Sequence, residues 1–230
     1  MDKKDLLDKT ASDHKKLVEE LYRRNEKITL SPEYGSFFKD NMMQMLIRLS
    51  RYKFAARMLS RDDRVLEVGS GSGLGALFMG QHCCYIKGID TNGQELDHAK
   101  SINRRENVEF ESADFFKYAD NILYDAVVCL DVIEHMPEER GRLLVEKTTA
   151  HLKKTGMLIL GTPSIYSYEY QGPLSRAAHV KCYDQNELKS IVNNYYGRVI
   201  TFSMNDEVVH TGFPNMAWYY FLIGFIPGKR

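Results

Sequence analysis

An α/β domain is the fold this 230-residue sequence predicts: a mostly parallel sheet of seven strands with an antiparallel last strand and helices on both faces. Three observations predict it. Short β-branched runs alternate with amphipathic segments from about residue 60 onward, the pattern of strands joined by crossover helices. A glycine-rich turn, Gly69 to Gly75, follows the first of these runs. The chain then closes on two successive strands, which suits an antiparallel strand near the edge of a parallel sheet.

Residues 5–25 place Leu6, Leu7, Leu17, Val18 and Leu21 among many charges, a weakly amphipathic helix that Ser31-Pro32-Glu33-Tyr34-Gly35 interrupts. A second helix is expected from Phe37 to Leu59, with Phe38, Met42, Met45, Leu46, Leu49, Phe54 and Met58 near helical spacing. Strands read at 64–68, 84–89, 107–110, 124–130 and 156–161, and helices at about 74–82, 93–104, 137–153 and 184–194. Pro137 suits a first helical turn, where its missing N–H costs nothing. The closing strands run from Arg198 to Met204 and from Ala217 to Ile226, joined by a loop at 205–214. Residues 1–60 are set apart as a helical extension, a lid or a homodimer contact, and 61–230 as the sheet domain.

Lys+Arg and Asp+Glu are both 31, so the net charge is zero. That balance gives no reason to expect nucleic-acid binding, which needs a basic excess or stripe. Cys83, Cys84, Cys129 and Cys182 lack metal-ligand spacing and read as buried free thiols. The N-terminus shows no apolar signal region, and the longest apolar stretch, Met216 to Pro227, is too short at 12 residues to span a bilayer. A cytoplasmic protein is the expectation.

Ligands of open α/β sheets sit at the carboxyl ends of the strands. There the sequence offers Glu67, then glycines at 69, 71, 73 and 75, and Asp90 at the end of the second strand. The glycines let backbone approach a ligand closely, and Asp90 suits two ribose hydroxyls. The run Gly71 to Ala76 also satisfies the loose dinucleotide pattern G-x-G-x-x-A, so NAD stays a candidate here. Glu67 points elsewhere: it would repel a pyrophosphate but attract a cofactor carrying ammonium and sulfonium groups. After the third strand, Asp114 and Phe115 stand where an adenine amine and ring would lie, and the fourth strand runs into Asp131-Val-Ile-Glu134-His135.

Together these segments resemble the class I S-adenosylmethionine-dependent methyltransferases, over about residues 60–165. Asp131 to His135 is similar to the small-molecule branch that includes ubiquinone-pathway and sugar O-methyltransferases. The resemblance implies a Rossmann-like fold and S-adenosylmethionine as cofactor, with S-adenosylhomocysteine as product. It implies that Glu67 and the glycines Gly69, Gly71 and Gly73 face the methionine part, Asp90 the ribose, and Asp114 with Phe115 the adenine. Arg51, Ser70, Thr91, Leu130 and Asp131 complete the expected cofactor set.

Methyl transfer to a hydroxyl needs alignment and a base, and His135, His179 and His210 lie on segments expected near the strand ends. Each has an alternative as a structural histidine. Asp131, Glu134 and His135 form a possible divalent-metal set, which is not the favoured reading. Tyr166, Tyr168, Tyr170 and Arg176 on the loop after the fifth strand, and Asp206 and Glu207 beyond the sixth, are the acceptor-binding candidates for a small or sugar-type molecule. Two rivals are a quinone or phenol methyltransferase at a membrane surface, suggested by Trp218 to Phe225 followed by Lys229 and Arg230, and a cofactor-binding scaffold without chemistry.

Overall fold

A computed structural model of the chain describes residues 3–24 and 27–228, with backbone alone for residues 3–8; Lys229 and Arg230 lie outside the described residues. Contacts divide the chain into two units, one up to Leu30 and one from Ser31 onward. The first is helix α1 (Lys3–Arg23), on which Leu17, Leu21 and Tyr22 are exposed.

The second unit opens with α2 (Pro32–Asp40) and α3 (Met42–Met58), where one helix was expected over Phe37 to Leu59. Asn41 explains the break. Its backbone leaves the helical region (φ −156°, ψ 77°), and its side chain accepts from the Gln44 N–H at 3.2 Å, capping α3. The Ser31-Pro32 pair starts α2 rather than merely ending what precedes it: Ser31 caps, and Pro32 takes the first turn. Grouped with the N-terminal extension in the expected boundary at 60, these two helices pack within the sheet-bearing unit.

Then come β1 (Arg64–Val68), α4 (Leu74–Met79), β2 (Tyr85–Asp90), α5 (Gly93–Ile102), β3 (Val108–Ser112) and β4 (Tyr124–Leu130). They are followed by α6 (Glu138–His151), β5 (Leu152–Pro163), α7 (Pro173–Ala178), α8 (Gln185–Asn193), β6 (Tyr196–Asn205), β7 (Val208–His210) and β8 (Tyr219–Pro227). Short 3-10 turns stand at Ile133–His135, Ile165–Tyr170 and Pro214–Met216. The sheet has eight strands in the order β3-β2-β1-β4-β5-β8-β6-β7. The eighth is β7, expected as part of a loop, which pairs antiparallel with β6 from Val208 to His210. Strand β8 is antiparallel to both β5 and β6, so β6 runs with the first five.

The period-2 alternation of the strands sorts their side chains into two cores. Val65, Ala126, Val128 and Phe221 pack with Tyr52 and Ala55 of α3, Ala76 of α4 and Leu96 of α5. Leu66, Val127, Cys129 and Leu222 pack with Leu144 of α6 and Leu188 and Ile191 of α8 on the other face. Residues Tyr219 to Ile223 are almost wholly buried, which accounts for the aromatic C-terminal run as core. No helix among the described residues is long and apolar enough to cross a membrane. All four thiols are free, but Cys84 is exposed and Cys182 only partly buried, against the expectation of burial for all.

Candidate active site

The order of strands reverses between β1 and β4, and the crevice opened at their carboxyl ends is the place for a ligand. A cavity of about 1410 Å³ lies there. Its floor is the turn after β1. Gly69, Gly71 and Gly73 have φ of 75°, 49° and 82°, a region most side chains avoid. A Cβ on Gly69 would meet Val132 Cγ2 at 2.4 Å. The turn is fixed through Asp90: its carboxylate accepts from the Gly71 N–H and the Asn92 N–H, both at 2.8 Å. Asp90 thus both holds the turn and lines the cavity.

Glu67 does not face the cavity. It lies beneath the turn, 3% exposed, where a Cβ on Gly75 would meet its Oε1 at 2.3 Å. Burial and the neighbouring Asp90 carboxylate push its carboxyl up to about 8, against a backbone hydrogen bond from Ala76 that stabilises the anion. Its Oε2 has no partner. Gly73 caps α4 and is not among the residues lining the main cavity, whereas Ser70 and Leu130 line a smaller adjoining pocket of about 290 Å³. Arg51, Gly69, Gly71, Asp90, Thr91, Asp114, Phe115 and Asp131 all line the main cavity. Asp114 Oδ1 also accepts from the Phe116 N–H at 3.0 Å, and Phe115, 5% exposed, is mostly core. The adjoining Phe116 carries the Arg140 guanidinium over its ring at 4.3 Å, a pair sequence reading missed because α6 brings Arg140 there.

Beyond β4, Asp131 adopts φ 57°, tolerated by Asp more readily than by most residues. Arg51 Nη1 donates to both its oxygens at 2.7 and 2.9 Å, and Arg48 approaches within 3.6 Å. Arg48 and Arg51 are three apart on α3 and share a face, and Arg48 also pairs with Glu33 of α2 at 3.2 Å. The two arginines hold the Asp131 carboxyl below its ordinary range despite its burial. The same contacts dock α2 and α3 against the end of β4, and Arg51 lies over the Tyr219 ring at 4.1 Å.

Glu134 follows on the 3-10 turn, fully buried. Its backbone carbonyl accepts from the Val180 and Lys181 N–H groups at 2.7 and 3.0 Å. That clamp brings the segment after α7 over β4 and sets the His179 ring 5.1 Å from the His135 ring. The Glu134 Oε2 accepts from Thr162 at 2.9 Å, while Oε1 has no partner. Burial, then the Asp131 charge, raise its carboxyl above the ordinary range. His135 Nδ1 lies 3.0 Å from the Ala178 carbonyl oxygen. A carbonyl only accepts, so Nδ1 carries the proton and Nε2 of the neutral ring keeps its lone pair. Burial, and secondarily His135, lower the His179 imidazole below its ordinary value, favouring its neutral form.

The remaining expectations divide. His135 and His179 line the cavity; His210 does not. Both His210 nitrogens are engaged: Nδ1 accepts from the Gly212 N–H at 3.3 Å, so Nε2 donates to Asn205 Oδ1 at 2.9 Å. It braces the β6–β7 hairpin and is not a base for this site. Tyr170 and Asp206 line the cavity, whereas Tyr166, Tyr168, Arg176 and Glu207 do not. The first two tyrosines are exposed on the 3-10 turn Ile165–Tyr170, Arg176 is exposed on α7, and Glu207 is exposed at the tip of the hairpin. Among the described residues, one group of possible metal ligands stands out, Glu134, His135 and His179, with ligand atoms within 4.8 Å of one another. Asp131, expected in that set, is instead committed to the arginines.

Residues 66–160 match the family described as "Methyltransferase domain". Over that stretch the chain is similar to the class I S-adenosylmethionine-dependent methyltransferases. The chain is 25% identical over 121 residues to a Coxiella burnetii protein named ubiquinone biosynthesis O-methyltransferase, a stretch covering 51% of each chain. It thus spans about half the length of the curated relatives it matches. A Thermotoga maritima structure described as a possible histamine N-methyltransferase superposes with a TM-score of 0.65 at 16% identity, covering 84% of this chain and 94% of that one. The N-methyltransferase NodS of Bradyrhizobium japonicum, solved with S-adenosylhomocysteine, gives 0.56 at 16% identity, covering 84% and 88%. At these identities the likeness is one of fold.

Proposed function

We propose that the chain transfers the methyl group of S-adenosylmethionine to a hydroxyl of a small or glycan-type acceptor, with His135 as general base. The cofactor would lie along Gly69–Gly71, Asp90, Asp114 and Phe115, its methyl directed toward the end of β4. In the transfer, the acceptor oxygen forms the new C–O bond, the C–S bond breaks, and S-adenosylhomocysteine leaves uncharged at sulfur. The hydroxyl proton passes to His135 Nε2. Most of the rate comes from alignment and exclusion of water. The single observation behind the base assignment is the His135 Nδ1 bond to the Ala178 carbonyl, which leaves Nε2 free to accept on a cavity-lining ring. Oxygen as the accepting atom is supported by the O-methyltransferase names of the Coxiella and related proteins.

The test is methyl-labelled S-adenosylmethionine incubated with the chain and a small-molecule extract, with products resolved by chromatography. A labelled, protein-dependent product is expected. His135→Ala should lower its formation about a hundredfold or more while leaving S-adenosylhomocysteine affinity within about twofold. Full turnover by His135→Ala would rule out this base.

A second reading has its own observation. The unpartnered Glu134 Oε1 and two imidazoles fit a divalent cation held by Glu134, His135 and His179. Such a cation would polarise the acceptor hydroxyl, and His135 would then orient rather than deprotonate. Turnover abolished by exhaustive chelation and restored by Mg²⁺ or Mn²⁺ favours this reading; turnover indifferent to chelation favours the base.

A further inference from the structure

We infer that Tyr170, Trp218 and Gln171 form the acceptor subsite, and that the acceptor is an uncharged saturated ring with hydroxyls on more than one edge. This deepens the proposed function and rests on it. Tyr170 and Trp218 are 72% and 52% exposed, yet their rings stack on each other at 5.7 Å and 23° and both line the cavity that holds Asp90 and Asp114. Two large exposed aromatics on one cavity rim make a face to which the C–H side of a ring can pack. Trp218 is held for that purpose by its backbone. Its N–H donates to the Met204 carbonyl at 3.1 Å, and its carbonyl accepts from the Ser164 N–H at 2.9 Å.

Gln171 supplies a defined acceptor. Ser167 Oγ donates to the Ser164 carbonyl at 2.7 Å, so toward Gln171 it can only accept, and it does so from Nε2 at 3.2 Å. That fixes the amide orientation, and leaves Oε1 buried without a partner on a cavity-lining residue. An unpaired buried carbonyl is costly unless a ligand donates to it. His179 Nδ1 is likewise buried and unpartnered, and Asp206, just past the end of β6, lines the same cavity. Gln171 and Asp206 come from different loops and both accept, so a ligand with one phenolic hydroxyl satisfies only one of them. Of the cavity-lining arginines, Arg48 and Arg51 are paired with Asp131, and Arg140 lies over Phe116, next in sequence to Asp114 and Phe115, so the subsite residues Tyr170, Gln171 and Trp218 bring no cation of their own. A neutral polyhydroxylated ring of pyranoside type fits these demands.

Trp218 is the sole tryptophan of the chain, so its fluorescence reports on this subsite alone. The experiment titrates the full chain, saturated with S-adenosylhomocysteine, with methyl pyranosides of glucose, rhamnose and N-acetylglucosamine. Catechol and phenol serve as flat aromatic comparisons. A saturable change in emission with at least one pyranoside is expected. Tyr170→Ala and Gln171→Leu should each weaken it about tenfold, with S-adenosylhomocysteine affinity by calorimetry unchanged. Binding of S-adenosylhomocysteine with no response to any pyranoside, or with a response to catechol or phenol only, would overturn the proposal and leave the cofactor reading standing. A pyranoside response that neither variant alters would overturn the subsite. Absence of S-adenosylhomocysteine binding sinks the functional reading, and this proposal with it.

Discussion

Glu67 shows how one side chain can matter without touching a ligand. It was legible as the acidic residue ahead of the glycines, but its position beneath the turn was not, because the approach of Gly75 and Tyr52 to it is a packing fact. Its consequence is a pH dependence. A carboxyl raised from 4.5 to about 8 in the fold binds a proton there that the unfolded chain has released. Its contribution to stability is therefore full below about 4.5 and is lost as pH rises toward and through 8. Melting temperature of the unliganded chain should fall between pH 6 and pH 8.5, and Glu67→Gln should flatten part of that fall. Glu134, whose carboxyl is raised by burial and by the Asp131 charge, adds to the fall. A wild-type melting temperature independent of pH across this range would contradict the burial argument.

At the scale of elements, the sequence announced strands well and meetings between distant segments poorly. The β1 turn, Asp90 and Asp131 were legible because each stands at the end of a β-branched run, where period and topology together place it. Arg48, Gln171 and Trp218 were not, because α3, the loop after β5 and the start of β8 are far apart in sequence and meet only at the cavity. The β7 hairpin illustrates the opposite error. His210 looked like a third candidate base on a polar loop, yet Val208–His210 pairs with β6, and Asn205 and Gly212 occupy both ring nitrogens. Replacing it should therefore cost stability rather than chemistry. His210→Ala is expected to lose about 1–2 kcal/mol through its two hydrogen bonds, measured by denaturant unfolding, with kcat within about threefold of wild type. A hundredfold loss of kcat at unchanged stability would return His210 to the active site.

Across the whole molecule, the parallel half of the sheet and the antiparallel closure do separate work. The order reversal between β1 and β4 opens the crevice, and its walls up to Asp131 are drawn from residues 66–160, the stretch that matches the methyltransferase family. Further lining residues come from outside that stretch: from α2 and α3 before it, and from the segments at Tyr170, His179, Asp206 and Trp218 after it. The family match thus covers one part of the cavity wall and leaves the rest to segments outside it. Asp90 joins the two ideas, since it holds the glycine turn through two backbone N–H groups and faces the cavity. Calorimetric titration of S-adenosylmethionine into the wild type and Asp90→Ala tests the account most directly. We expect one-site binding by the wild type and a loss of about tenfold to a hundredfold in affinity for the variant, the worth of charge-assisted hydrogen bonds. No binding by the wild type, or equal affinity in a folded Asp90→Ala, would contradict it.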